Sequence, residues 1–181
     1  MEPHEINVRL DERVATTQPA TRSYIIHVGD TILQDIGVLL ANDSVQRAVV
    51  VSDQAVSATH GKTVTGVLQD ASITLDHLSI PSGEASKSLT ESERLWNEFA
   101  RLKIDRKTAI LAVGGGVVGD LTGFVAATFS RGLHFWQVPT TLVAQVDSAI
   151  GGKTGVNLPA GKNLVGAFWQ PRGVVADIST L

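Results

Sequence analysis

Three consecutive glycines, Gly114-Gly115-Gly116, separate two apolar runs, and they constrain this 181-residue chain more than any other feature. The run before them, Thr108-Ala109-Ile110-Leu111-Ala112-Val113, is uncharged and of strand length. The run after them, Leu121-Thr122-Gly123-Phe124-Val125-Ala126-Ala127, continues as an apolar helix. A buried strand, a tight turn and a buried helix form the crossover unit of an α/β fold. Glycines at that turn let the backbone approach a ligand closely, and the free N–H groups at a helix start favour an anion. Gly114, Gly116 and Gly119 also match G-x-G-x-x-G, a dinucleotide spacing. Alone, that match is weak. The usual version opens the first strand of its domain and has an acid about 20 residues on, whereas here the next acid after Asp120 is Asp147.

The charge distribution downstream supports a binding role. From Arg131 to Arg172 the charged residues are Arg131, Asp147, Lys153, Lys162 and Arg172, a local balance of four positive and one negative, within a chain of net charge −3. Most lie among Gly, Thr, Pro and Asn in apparent loops, so a cationic, glycine-rich cleft for an anionic ligand is expected beside the turn. Gly152-Lys153-Thr154 invites comparison with a P-loop, but G-x-x-x-x-G-K-[ST] would put its first glycine where Asp147 stands. A carboxylate there would face the phosphates, which excludes a P-loop.

Strands and helices alternate along the chain. Strands are expected at Glu5 to Leu10, Ser23 to Val28, Arg47 to Ser52, Ile73 to Ile80, the run ending at Val113, Phe135 to Val138 and Gly173 to Ala176. Helices are expected from Gly29-Asp30 to Leu40, in part of Ala55 to Leu68, over Leu89 to Leu102 with Ser88 or Thr90 as cap, after the glycine turn, and after Pro139-Thr140-Thr141. Residues 151–166 are expected as a glycine-rich loop segment. The fold class that follows is α/β, a Rossmann-like, mainly parallel sheet with helices on both faces. Ligands of such sheets sit at the carboxyl ends of the strands. Asp53, Gly83-Glu84, Gly114 to Gly116 and Thr140-Thr141 all follow strands, which puts four ligand segments on one rim.

Composition excludes several classes. Cysteine is absent, and the five histidines are isolated, so neither disulfides nor a metal site is expected in this chain. No apolar run is long enough to span a bilayer, the N-terminus is charged and unlike a secretory signal, and aromatic residues are few. A cytoplasmic protein with no nucleic-acid or membrane partner is expected. Residues 1–21 are read as an N-terminal extension with a first strand, and 22–181 as one domain. Ser179-Thr180 after Asp177 reads as a helix N-cap pair, so the chain is expected to be cut from something longer.

Residues from about Tyr24 to Leu181 resemble the N-terminal half of 3-dehydroquinate synthase. The resemblance rests on Ser82-Gly83-Glu84 with Lys87 (G-E-x-x-K), Gly114 to Asp120 (G-G-G-V-x-G-D), Phe129-Ser130-Arg131-Gly132, Pro139-Thr140-Thr141-Leu142 with Asp147-Ser148, Gly151 to Thr154, Gly161-Lys162-Asn163 and Gly166 to Pro171. The resemblance implies conversion of 3-deoxy-D-arabino-heptulosonate 7-phosphate to 3-dehydroquinate and phosphate in the shikimate pathway. It also implies NAD and a divalent metal, zinc or cobalt, as cofactors.

Carried over by the same resemblance, Asp53 meets the adenosine ribose, and Ser82, Gly83, Glu84 and Lys87 hold the nucleotide. Gly115, Gly116 and Val117 cradle the pyrophosphate, and Asp120, Thr140, Thr141 and Leu142 continue the pocket. Asp147, Lys153 and Asn163 stand where nicotinamide and substrate meet, with Lys162 beside the cofactor. Arg131 reaches the substrate's phosphate or a neighbouring anion, and Thr180 and Leu181 lie where the pocket closes at a domain junction. The family's metal ligands, a Glu and two His, belong to a helical C-terminal domain whose residues are not in this sequence. The isolated chain is therefore expected to be inactive, with that domain as its partner and a homodimer left open. Other readings are a related sugar-phosphate cyclase, a polyol dehydrogenase, or a non-catalytic nucleotide-binding module.

Overall fold

The computed structural model describes residues 3–8 and 23–181. In chain order these form β1 (His4–Val8), β2 (Tyr24–Gly29), α1 (Ile36–Asn42), β3 (Arg47–Asp53), α2 (Gln54–Val56), α3 (Lys62–Asp70) and β4 (Thr74–Ile80). Then follow α4 (Leu89–Arg101), β5 (Ala109–Gly114), α5 (Gly116–Thr128), β6 (His134–Pro139), β7 (Lys153–Leu158), β8 (Gly161–Phe168) and β9 (Gly173–Asp177). Seven strands make one sheet in the order β1-β2-β9-β6-β5-β3-β4. Every pairing in it is parallel except that of β1 with β2. The first strand starts one residue before the Glu5 to Leu10 expectation, at His4. Residues 9 and 10, the polar stretch after them and the boundary at 21–22 lie outside the described residues.

The central strands are continuous apolar runs because both faces of the sheet are covered. In β3, Val49 and Val51 face one core while Ala48 and Val50 face the other. In β5, Ile110 and Ala112 join the first core and Ala109, Leu111 and Val113 the second. The first core is closed by α4 and α5 through Leu95, Phe99, Leu121 and Val125, the second by α1 and α3 through Ile36, Leu40, Val64 and Leu68. Ser88 caps α4, its hydroxyl accepting from the Glu91 amide at 3.2 Å, and the helix buries Ser92, Leu95 and Phe99 on one face. The helix expected from Gly29 begins later, as a 3₁₀ turn at Ile32–Asp35 before α1.

One expectation is corrected. The segment 151–166 is not a loop: it lies mostly in an antiparallel hairpin, β7 with β8, seated on α5. Its glycines signalled loop, yet Gly155 and Gly166 pair across the hairpin where a side chain on Gly166 would strike the Thr154 carbonyl. At the chain end, Asp177 caps a 3₁₀ turn, Ile178–Thr180. Its carboxylate accepts from the Ser179 amide (2.9 Å) and hydroxyl (2.6 Å), and from the Thr31 and Leu33 amides at 2.9 Å each. Burial alone would raise the Asp177 pKa; those hydrogen bonds outweigh it and hold the carboxyl below its ordinary value.

The hairpin rests on α5 at Gly123. A Cβ there would overlap the Thr154 methyl and approach the Phe135 ring at 3.0 Å. Alanine would gain about 1 kcal/mol of helix propensity, but overpacking a closed contact typically costs about 1–3 kcal/mol. Both neighbours are buried, Thr154 at 8% and Phe135 at 1% exposure, so neither can yield. Gly123→Ala is expected to lower the denaturant midpoint, measured by urea unfolding followed by circular dichroism.

Candidate functional site

The parallel registers set the ends of four strands on one edge. Asp53 pairs with Ile80 across β3 and β4, Ser52 with Val113 across β3 and β5, and Gly114 with Pro139 across β5 and β6. Asp53, the Gly83-Glu84 turn, the glycine turn and Thr140-Thr141 therefore share one rim. From β3 the chain proceeds to β4 on one side and to β5 on the other. That reversal makes the crevice between β3 and β5 a topological switch point.

At the rim, Gly115 caps α5 and Gly116 begins it. A Cβ on Gly116 would stand 3.0 Å from Ser148 Oγ, and one on Gly115 3.3 Å from the Thr141 methyl. The turn is thus roofed closely by the segment after β6, and the backbone N–H groups of Gly116 and Val117 start a thirteen-residue helix. Thr140 donates its amide to the Gly114 carbonyl at 3.0 Å, while its buried hydroxyl has no protein partner. Asp53 turns one carboxylate oxygen inward to cap the Val56 amide at 2.9 Å. Ser82 Oγ accepts from the Ala55 amide at 3.3 Å, and Gly83 has a φ of 102°, a conformation that favours glycine.

Lys87 is the most buried cation here, at 5% exposure. Its ammonium pairs with the Asp120 carboxylate and donates to Asn163 Oδ1 at 2.5 Å. Burial pushes the Asp120 carboxyl above its ordinary range; the hydrogen bond and charge of Lys87, then the charge of Lys153, oppose that without cancelling it. Glu84 lies in the opposite environment. The Asn157 amide donates to its Oε1 at 2.7 Å, and Lys162 stands 3.5 Å away. The Asn157 hydrogen bond, against slight burial and with help from Lys162, holds the Glu84 carboxyl below its ordinary value.

Beside this network an open cleft of about 550 Å³ is lined by Asp120, Asp147, Ser148, Lys153, Asn163 and Phe168, among others. Asp147 and Ser148 project from a single wide π turn, Ala144–Ser148, and Lys153 meets Asp147 at 3.1 Å with both side chains exposed. Gln145 anchors that turn by donating to the Asp177 carbonyl at 2.7 Å and to Thr180 Oγ1 at 3.1 Å. The structure therefore brings together Asp120, Asp147, Lys153 and Asn163 in the cleft, with Lys87, Glu84 and Lys162 adjoining. Thr141 and Leu142 are exposed over the turn. Thr180 is buried under Gln145, and Leu181 is exposed. Arg131 stands apart, exposed beyond the far end of α5, roughly 20 Å along that helix from the glycine turn.

Sequence reasoning missed Asn157, Gln145 and Phe168. Asn157 carried a weak signal, an amide between Val156 and Leu158, and only the hairpin pairing gives that signal a meaning. Among the described residues no cluster of three or more His, Cys, Asp or Glu could hold a metal ion, so this part of the chain does not fit a resident metal. No helix among them is long and apolar enough to cross a membrane.

Fold and rim together define a Rossmann-like α/β domain with a cleft at its strand ends. Residues 77–181 match the model of the 3-dehydroquinate synthase N-terminal family, and the chain belongs to that family. It is 51% identical over 160 residues to the 3-dehydroquinate synthase of Symbiobacterium thermophilum, covering 87% of this chain and 45% of that protein. It is 47% identical over 173 residues to that of Rhodospirillum rubrum, covering 95% and 45%. Among solved structures it is similar to 2-deoxy-scyllo-inosose synthase complexed with carbaglucose-6-phosphate, NAD+ and Co2+, with a TM-score of 0.83 and 32% identity over 90% of this chain and 44% of that one. The chain spans less than half the length of these relatives.

Lys87 tests the electrostatics. Removing it leaves Asp120 in a part-buried position without its counter-charge, a change that costs on the order of 3 kcal/mol in comparable pairs. Asp120 has a raised folded pKa, so the stability it contributes is full below the unfolded value of 3.8 and is lost as pH rises through the folded value. Without Lys87 that folded value moves further up. The deficit of Lys87→Ala relative to wild type is therefore expected to be larger near neutrality and to shrink on acidification toward about pH 4. Urea unfolding of both proteins across that range measures it.

Proposed function

We propose that this chain is the NAD-binding half of a 3-dehydroquinate synthase, converting 3-deoxy-D-arabino-heptulosonate 7-phosphate to 3-dehydroquinate and phosphate once joined to the rest of the enzyme. The observation that carries the reading is the glycine turn opening α5 at the switch point, with the cationic hairpin beside it, in a chain half identical to proteins of that name. NAD fits the rim: close-packed glycines leave room for a pyrophosphate against free amides, and the buried Thr140 hydroxyl lacks a protein partner. When bound, NAD supplies a hydride acceptor, and the protein contributes position and electrostatics.

In this reading Asp53 orients the adenosine ribose through a carboxylate oxygen, beside Ser82 and Gly83. Glu84 and Lys162 flank the nucleotide, and Lys87 sets their geometry from beneath. Gly115, Gly116 and Val117 take the pyrophosphate, with Thr140, Thr141 and Leu142 along its edge. Asp147, Lys153 and Asn163 face the substrate end of the cleft, and Thr180 and Leu181 border the junction with the remaining length of the enzyme. Arg131 lies too far along α5 to serve this cleft from within the chain, and we assign it to a site completed by a second copy in a homodimer. The family's metal, zinc or cobalt, would be held by residues outside this sequence. A soluble, cytoplasmic setting completes the proposal.

A related sugar-phosphate cyclase remains the second reading, favoured by the 0.83 TM-score to 2-deoxy-scyllo-inosose synthase. Product analysis with the full-length protein separates the two: 3-dehydroquinate supports the first, another carbocycle the second. Calorimetric titration of the 181-residue chain with NAD tests cofactor binding directly. Saturable heat is expected, and no heat at millimolar NAD would refute the reading. Asp53→Ala is expected to weaken NAD by about tenfold, the loss of one hydrogen bond to a charged group.

A further inference from the structure

Asn157 lies near the end of β7, where it meets the loop after β4 and the start of β8. Its amide nitrogen donates to Glu84 Oε1 at 2.7 Å, and its Oδ1 accepts from the Asn163 amide at 3.0 Å. Its backbone N–H donates to the Lys87 carbonyl at 2.8 Å, next to an isolated bridge with Ser88. One side chain thus spans the loop after β4 and the first turn of β8. Asn163 has a left-handed conformation, φ 57°, one that asparagine adopts more readily than most side chains. In that conformation its own Oδ1 meets the buried Lys87 ammonium.

We propose that Asn157 is a positioning residue that locks Glu84 and Asn163 into one geometry, so that the loop after β4 and the β7–β8 hairpin engage the nucleotide as a unit. This rests on the reading of the rim as an NAD site. Three arguments carry it. First, Asn is the side chain that can donate to a carboxylate and accept from an amide at once within this reach. Second, Glu84 is on the surface, where a carboxylate is otherwise free to rotate, so the Asn157 hydrogen bond is its principal restraint beside the longer Lys162 contact. Third, an aliphatic side chain at 157 would leave the Asn163 amide unpaired and release the conformation that points Asn163 at Lys87. Asn157 itself need not touch the ligand; it acts through its two partners.

Asn157→Asp isolates the effect. It is isosteric, it keeps an oxygen for the Asn163 amide, and it sets a second carboxylate oxygen against Glu84. The variant is expected to keep the wild-type melting temperature while NAD binds about tenfold more weakly, equivalent to about 1.4 kcal/mol. In a Glu84→Ala background the same substitution is expected to change NAD affinity less than about twofold, the non-additivity that direct coupling requires. Independently of any nucleotide, the Glu84 carboxyl, followed by carbon-13 NMR, is expected to titrate at higher pH in Asn157→Asp. Wild-type NAD affinity in Asn157→Asp, or an equal loss with Glu84 already removed, would overturn the proposal. Should the wild-type chain bind no NAD, the nucleotide reading fails by itself. The Glu84 titration then decides the coupling alone: an upward shift sustains it and an unchanged value ends it.

Discussion

A buried ammonium group organises the functional end of this domain. Lys87 follows the loop after β4, its partner Asp120 is on α5, and its acceptor Asn163 is on β8. An unpaired charge at that depth would cost several kcal/mol, so the three segments can be dry together only when assembled in this arrangement. The hairpin's seat on α5, the orientation of Asn163 and the line of Glu84, Asn157 and Lys162 all follow from that placement. Electrostatic necessity here does the work of a hinge pin, holding a two-stranded hairpin that has little core of its own.

Three carboxylates show how environment divides identical chemistry. Asp177 is buried among four hydrogen-bond donors, which outweigh its desolvation and keep it anionic. Glu84 is at the surface with an amide and an ammonium beside it, so it too is held ionised. Asp120 faces only one strong partner and enough burial to raise its pKa. The first of these ties the end of β9 to the turn after β2, a structural task. The other two border the region where an anionic ligand would lie, and there the surrounding lysines compensate negative charge that would otherwise repel it.

Family membership is consistent with this arrangement while setting its scope. The chain accounts for about 45% of the length of its relatives, and the residues it holds form the strand-end rim and line an open cleft. Beside the open cleft, Leu142, Val143 and Leu164 are large apolar side chains left exposed. A closed, water-excluding site needs a second wall.

The sequence by itself determined the parallel sheet, the order of its elements and the rim. Apolar runs such as Val49 to Val51 and Ile110 to Val113 have a two-sided burial pattern that leaves few alternatives, and Gly114 to Gly116 mark a strand-to-helix turn whatever lies around them. Sequence could not show that residues 153–168 pair as a hairpin, because glycines that permit close backbone approach look the same in a linear string as glycines of a loop. Nor could it reveal that Asp177 gathers the amides of Thr31 and Leu33, more than 140 positions away. Asn157 gained its importance only when Glu84, 73 positions earlier, came within hydrogen-bonding distance. Local pattern fixes which elements form, because burial periodicity is a property of neighbours in sequence. Long-range hydrogen bonds and buried charges decide how the site is assembled, because their partners meet only after the sheet has closed.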